Sequence, residues 1–133
     1  MLVPLHITEP RSASLDRLFA HDPQDLVISD LGIGEFSSSI SRRVRMDEIG
    51  TDIAELWISS FDSWCASDVD VLPIEPVDVR MATELVRRFE LKLLMPDAIH
   101  AALCLRYDLT LVTLDDRLAK AAAMLGIECL VPA

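Results

Sequence analysis

Three acidic residues stand at points of the sequence where a carboxylate could do chemistry: Glu35, Asp97 and Asp115. Asp97 follows a proline at the head of an apolar stretch, and Asp115 follows the short apolar run "LTLVT". Glu35 lies among apolar and glycine residues in "LGIGEFS". Carboxylates from separate elements are hard ligands for Mg²⁺ or Mn²⁺, ions that can activate water against a phosphodiester. Together the three residues predict a divalent-metal site.

Each acid also has an ordinary structural explanation. Asp115 can cap the helix that follows it, and Asp97 can face a helix dipole from the first turn. Glu35 can be an exposed residue of a helix. Asp116 follows Asp115 directly, so one of this pair can cap the helix while the other acts as a metal ligand. Taken singly, Asp115 favours the capping interpretation, and only the three acids together favour a metal.

Two neighbours of these acids, His100 and Arg117, could also take part in a site. His100 lies one helical turn after Asp97, but it has no second histidine nearby in the sequence, so a packing role is favoured over metal ligation. Most basic residues are expected on solvated helix faces. Arg117 is the basic residue best placed to reach an RNA phosphate, because it follows the Asp115–Asp116 pair.

Helices that alternate with short apolar strands must position these residues. The pattern predicts strands over 25–29, 69–75, 109–113 and 127–131, and helices over 11–20, 29–45, 46–67, 77–91, 96–108 and 115–126. Short apolar strands separated by helices predict a parallel sheet covered on both faces, an α/β sandwich. Ligands bind such sheets at the carboxyl ends of the strands, where Asp115 falls. With no linker or repeat, residues 1–133 are predicted to form a single domain.

The composition narrows the class of partner. A formal charge of −10 argues against a general phosphate binder, unless the acids surround a cation; acidity can also simply keep a protein soluble. The three cysteines have no C-x-x-C spacing and are predicted to be reduced core thiols. Without a membrane-length apolar run or a signal peptide, the chain is expected to be cytoplasmic.

Three segments resemble a known family, the PIN domains of the VapC toxin type: "LVPLHITEPRSASLDRLFA", "VISDLGIGEFSSSISRR" and "PDAIHAALCLRYDLTLVTLDDRLAKAAAMLGIECLVP". The resemblance implies an α/β/α sandwich around five parallel strands in the order 3-2-1-4-5. It also implies a Mg²⁺- or Mn²⁺-dependent endoribonuclease, the toxin of a type II toxin–antitoxin system, neutralised by a small antitoxin and assembled as a homodimer. The family's acids match Glu35, Asp97 and Asp115, and its supporting threonine matches Thr113.

The start of the chain departs from that family pattern. Members begin with a strand ending in an L-D-[ST]-S motif, and Met1 occupies the place just after it. We therefore expect the first strand and first catalytic aspartate to be absent from the chain as given, with weaker metal binding, two exposed sheet edges and poor nuclease activity. Asp116 is a candidate substitute ligand. Two alternatives remain: a non-catalytic PIN-like binding module that acts through an antitoxin or self-association, and an unrelated flavodoxin-like domain whose acids are caps.

Overall fold

A computed structural model describes residues 26–131 of the chain. The predicted helix over 11–20 and the predicted loss of a first strand lie outside these residues. The described elements in chain order are β1 (Leu26–Ser29), α1 (Asp30–Arg45), α2 (Thr51–Ser67), β2 (Val69–Leu72), α3 (Pro76–Arg87), a short 3₁₀ helix (Phe89–Leu91), α4 (Met95–Tyr107), β3 (Leu111–Val112), α5 (Asp116–Met124) and β4 (Cys129–Leu130).

The order of helices and strands predicted for this part of the chain is confirmed. The largest difference is at α2, which begins at Thr51 rather than at Met46. Residues 46–50 form a turn instead, in which Asp47 has a φ of 56°, a left-handed conformation that ends α1. Helix α3 ends at Arg87, four residues before the predicted end, and a 3₁₀ helix follows after Arg88.

The described strands form two separate parallel pairs. Leu26 to Ser29 of β1 lie opposite Val69 to Leu72 of β2. Leu111 of β3 lies opposite Cys129 of β4. Parallel pairing is therefore confirmed, whereas one continuous sheet is not present in the part of the chain that the structure describes. Among the described residues, β1 and β3 each have a partner strand on one side only. No described strand therefore connects the two pairs.

The chain divides into two compact units, Met1–Pro73 and Ile74–Ala133. The expectation of a single domain over residues 1–133 stays a prediction.

An aromatic stack forms the core of the first unit. Phe36 of α1 and Phe61 of α2 are almost completely buried, and their rings lie parallel with centroids 3.9 Å apart. Ile28 of β1 and Ile40 of α1 complete the same apolar cluster. Because offset aromatic stacking adds to the burial of large apolar surfaces, this pair holds α1 against α2.

Small residues form much of the core of the second unit. Ala82 of α3, Ala98 and Ala102 of α4 and Ala122 of α5 are all fully buried. Alanine brings helix backbones close together without a loss of side-chain entropy on folding. The remaining core residues are Leu85, Leu91, Leu93, Ala101, Cys104, Leu111, Leu118, Ala121 and Ile127.

The state of the three cysteines and the length of the apolar helices can be compared with the sequence. Cys65, Cys104 and Cys129 are free thiols, as predicted, but only Cys104 is fully in the core, and the other two are half-buried. Burial raises the pKa of Cys104 to about 11. Among residues 26–131, no helix combines the length and the apolar character that crossing a bilayer requires.

Candidate active site

Asp115 caps helix α5, as the structural explanation of this residue predicts. Its Oδ1 accepts the backbone N–H of Arg117 at 2.9 Å and that of Leu118 at 3.5 Å. Both hydrogen bonds fall on the same oxygen, and no residue in the described part of the chain donates to Oδ2. Capping and metal binding are therefore compatible, because one oxygen serves the helix and the other is available to a ligand.

Thr113 fixes the backbone from which Asp115 projects. The Thr113 side chain is buried, and its Oγ1 accepts the backbone N–H of Asp115 at 3.0 Å. The Thr113 backbone N–H in turn donates to the carbonyl of Leu130 in β4 at 3.2 Å. The supporting role predicted for Thr113 thus has a specific contact, which is to the Asp115 main chain rather than to its carboxylate.

The two residues after Asp115 are exposed. Asp116 is the first residue of α5 and makes no capping contact. Its negative charge interacts favourably with the positive end of the helix dipole. Arg117 is also exposed in the first turn of the same helix. Asp115 is therefore the cap of this pair, and the role of the exposed Asp116 as a metal ligand stays a prediction.

Asp97 lies in the first turn of α4 and is half-buried. The residue before the helix is Leu94, whose apolar side chain cannot accept a capping hydrogen bond. Pro96 lies in the first turn, where its missing backbone N–H leaves no donor unsatisfied. The next residue, Ala98, is fully buried. Asp97 therefore stands at the border between the core of the second unit and its surface. His100, one turn later, is half-buried.

Glu35 lies one turn inside α1, in the first unit, and is half-buried. The start of that helix is fixed by Ser29, whose Oγ accepts the backbone N–H of Gly32 at 3.0 Å. A Cβ on Gly32 would lie 2.9 Å from Cγ1 of Ile28, so the glycine lets the first turn of α1 approach β1 closely.

The predicted ligands are thus divided between the two units. Glu35 belongs to the first unit, and Asp97 and Asp115 belong to the second. Across residues 26–131, no group of three or more His, Cys, Asp or Glu side chains is arranged to hold a metal ion. The assignment of Glu35, Asp97 and Asp115 to one cation stays a prediction, as does the further ligand Asp116.

Sequence reasoning missed the most strongly paired carboxylate of the second unit. Asp78 of α3 is fully buried, and its two oxygens accept hydrogen bonds from Nε and Nη2 of Arg106 at 2.6 and 2.8 Å. Its Oδ2 also accepts the backbone N–H of Glu75 at 2.8 Å. The hydrogen bonds from Arg106 hold the pKa of Asp78 below its usual range. Every oxygen is used within the protein, so this acid is structural.

A divalent metal fits the chemistry of the predicted residues. Glu35, Asp97 and Asp115 offer carboxylate oxygens, which are the ligands that Mg²⁺ and Mn²⁺ prefer. Asp115 in particular presents an oxygen that its capping role leaves open to a ligand.

A shallow hollow of about 400 Å³ on α3, lined by Val77, Arg80, Met81, Thr83 and Glu84, contains none of these acids.

Comparison with known proteins identifies the family. A family model described as the PIN domain matches residues 1–124. No curated protein matches the chain significantly. The α/β architecture with short parallel strands agrees with the α/β/α fold of that family. The family match, rather than the architecture, argues against the flavodoxin-like alternative. PIN domains are generally nucleases that use divalent metals. With nearly its whole length matched, the chain belongs to the PIN domain family.

Proposed function

We propose that this chain is a Mg²⁺- or Mn²⁺-dependent endoribonuclease and the toxin component of a type II toxin–antitoxin system. The observation that carries the proposal is the PIN domain match over residues 1–124, which makes the chain a nuclease by class. The three acids of the family pattern are present at Glu35, Asp97 and Asp115. The resemblance of the carboxyl-terminal segments to VapC-type toxins supports RNA as the substrate.

The roles of the acids are proposed from the family resemblance, and two hydrogen-bonded contacts of Thr113 and Asp115 support them. Glu35, Asp97 and Asp115 would hold the metal, with Asp116 as a further ligand. When bound, a divalent ion supplies a nucleophile from water at neutral pH and offsets the charge of the scissile phosphate. Thr113 keeps the Asp115 backbone in place through its 3.0 Å hydrogen bond. Asp115 holds the amino-terminal turn of α5 through Oδ1, which leaves its second oxygen for the site.

Arg117 is proposed to contact the RNA backbone. It is exposed, and it follows the Asp115–Asp116 pair in the first turn of α5. A chain with a formal charge of −10 repels RNA at long range, so attraction must come from bound metal and from local basic residues. An arginine beside the acids supplies such attraction where the phosphate must sit.

The test is Mg²⁺- and Mn²⁺-dependent cleavage of labelled RNA by the purified chain and by Asp97→Asn. This change keeps the shape of the side chain and removes its charge, so cleavage should be abolished while the protein stays folded. A matched control is Asp108→Asn at the other end of the same helix, where Asp108 is exposed with a φ of 54° that asparagine tolerates. Unchanged cleavage by Asp97→Asn would refute the assignment.

Two partners belong to the proposal. We infer a small antitoxin that neutralises the nuclease, and a homodimer as the assembled form. Co-expression with a small neighbouring gene should relieve growth inhibition caused by the chain, and light scattering on the purified protein should give twice the mass of 14.8 kDa. A monomer in solution would contradict the second inference.

A second candidate is a catalytically impaired PIN-like module that acts through an antitoxin or self-association. It is favoured by the lack of a three-ligand metal group within residues 26–131. A metal-titrated ribonuclease assay on this chain and on an amino-terminally extended version separates the candidates: the impaired module predicts no cleavage by either protein.

A further inference from the structure

Phe89 is the most exposed large apolar side chain of residues 26–131, at 85%. The 3₁₀ helix that carries Phe89 is fixed to the core of the second unit. Leu91, two residues later in the same 3₁₀ helix, is 3% exposed and belongs to the core of the second unit. The backbone N–H of Lys92 donates to the Phe89 carbonyl at 3.2 Å, and Lys92 then reverses the chain with a φ of 54°. The turn therefore holds the Phe89 ring in solvent.

The charge around Phe89 differs from that of the rest of the protein. Residues 1–73 carry thirteen acidic and five basic side chains, a charge of −8. Residues 80–92 carry four basic and two acidic side chains, a charge of +2. The basic ones are all exposed: Arg80, Arg87, Arg88 and Lys92. A locally positive segment in an acidic chain is a place where a polyanion can dock.

The carboxylates that pair with Arg87 and Arg88 would compete only weakly with an RNA phosphate for these arginines. Arg87 contacts Glu84 at 3.4 Å, with both side chains more than 70% exposed. Arg88 contacts Glu90 at 3.0 Å, and both of these side chains are about half exposed. Solvent-exposed pairs of this kind contribute little free energy. Either arginine can therefore exchange its carboxylate for a phosphate at small cost.

We propose that Phe89, Arg87, Arg88 and Lys92 form a docking platform for single-stranded RNA, outside the predicted acidic site. A base would stack on the Phe89 ring while the basic side chains contact the backbone phosphates, the combination by which single-stranded nucleic acids are bound without sequence preference. The neighbours of Phe89 along the chain are charged, Arg88 and Glu90, and the exposed basic side chains of residues 80–92 favour a polyanion as the occupant. The inference takes its ligand class from the proposed function.

The test is the binding of a fluorescein-labelled single-stranded RNA, followed by anisotropy in EDTA so that cleavage does not contribute. Phe89→Ala should weaken binding about tenfold, whereas Phe89→Trp should preserve it because stacking is retained. Leu94→Ala is the matched control, since Leu94 is an exposed apolar residue of the same unit, at 63%, and should leave the affinity unchanged. Arg88→Gln should weaken binding and make it less dependent on salt.

Several results would overturn the platform. RNA binding that is undetectable in the unaltered chain, or equal in Phe89→Ala, would do so. Equal RNA affinity together with loss of self-association in Phe89→Ala would assign this surface to protein contact instead. The outcome is independent of the catalytic proposal: RNA binding that depends on Phe89, alongside cleavage that Asp97→Asn leaves unchanged, would retain the platform and reject the acidic site.

Discussion

The Thr113 hydroxyl accepts the backbone N–H of Asp115 at 3.0 Å, and the Asp115 carboxylate caps α5 through Oδ1 alone. A buried side chain thus positions the main chain of a predicted ligand, while the helix it caps restrains its carboxylate. This arrangement lets one residue serve both the fold and the site. It also makes the two roles separable by substitution.

Substitutions at Asp115 should separate capping from metal binding. Asp115→Asn keeps a capping oxygen, so the free energy of unfolding should change little, while Mn²⁺ affinity should fall because the charge is lost. Asp115→Ala should lose the cap as well, at a cost of about 1 kcal/mol in stability. Urea unfolding and Mn²⁺ titration on both variants measure the two effects. Equal Mn²⁺ affinity in the unaltered chain and Asp115→Asn would remove this residue from the site.

Replacement of Thr113 tests how the Asp115 backbone is held. Thr113→Val keeps the volume of this buried side chain and removes the acceptor, so the free energy of unfolding should fall by about 1 kcal/mol or more. Thr113→Ser keeps the hydroxyl and is the control. Mn²⁺ affinity should fall in the valine variant and be nearly unchanged in the serine variant. If both variants bind Mn²⁺ alike, the hydroxyl has no part in positioning the ligand.

The elements around the site could be predicted from sequence more readily than the contacts could. The apolar run at 26–29, followed by a serine and an aspartate, predicts a strand and a capped helix, and Ser29 does cap α1. Capping and apolar periodicity are local, so they leave a pattern within a few residues. The sequence predicts the capping role of Asp115 for the same reason.

Contacts between distant residues left no such pattern. Asp78 and Arg106 lie 28 residues apart, and nothing in their immediate neighbours indicates that one is buried against the other. The same applies to the three predicted ligands, because a shared site would require tertiary structure to bring them together. Family resemblance, rather than spacing, is what joins Glu35 to the acids of the second unit.

The Asp78–Arg106 pair should matter for stability. Asp78→Asn leaves the partly buried Arg106 side chain without its counter-charge, so the free energy of unfolding should fall by about 3 kcal/mol. The control is Glu84→Gln, which breaks an exposed pair and should change stability by less than about 1 kcal/mol. Chemical unfolding of both variants gives the comparison. Similar small losses would mean that the buried pair contributes nothing beyond an exposed one.

The same pair should give the protein an acid-dependent loss of stability. Because the pKa of Asp78 is lowered in the folded protein, its contribution is complete above the ordinary carboxyl pKa of about 4. The contribution is lost as the pH falls through the lower, folded pKa. Thermal unfolding of Asp78→Asn should therefore depend less on pH below about pH 4 than that of the unaltered chain. Parallel pH profiles would contradict the pKa shift.

The two glycines beside Glu35 should respond in opposite ways to alanine. Gly34→Ala adds a methyl where no atom lies within 4 Å, so it should stabilise α1 by up to about 1 kcal/mol. Gly32→Ala places the methyl 2.9 Å from Cγ1 of Ile28, and the resulting overpacking should cost about 1–3 kcal/mol. Unfolding midpoints of the two variants test this difference. An equal gain from both would show that β1 and α1 can separate freely.

Our proposal is that Glu35, Asp97 and Asp115 hold one divalent cation. It is tested most directly by Mn²⁺ titration, followed by electron paramagnetic resonance, of Glu35→Gln, Asp97→Asn, Asp115→Asn and their pairwise combinations. If the three share one ion, each single change should weaken affinity on the order of tenfold or more, and the double variants should lose less than the product of the singles. Unaltered Mn²⁺ affinity in any one of the three single variants would contradict the claim.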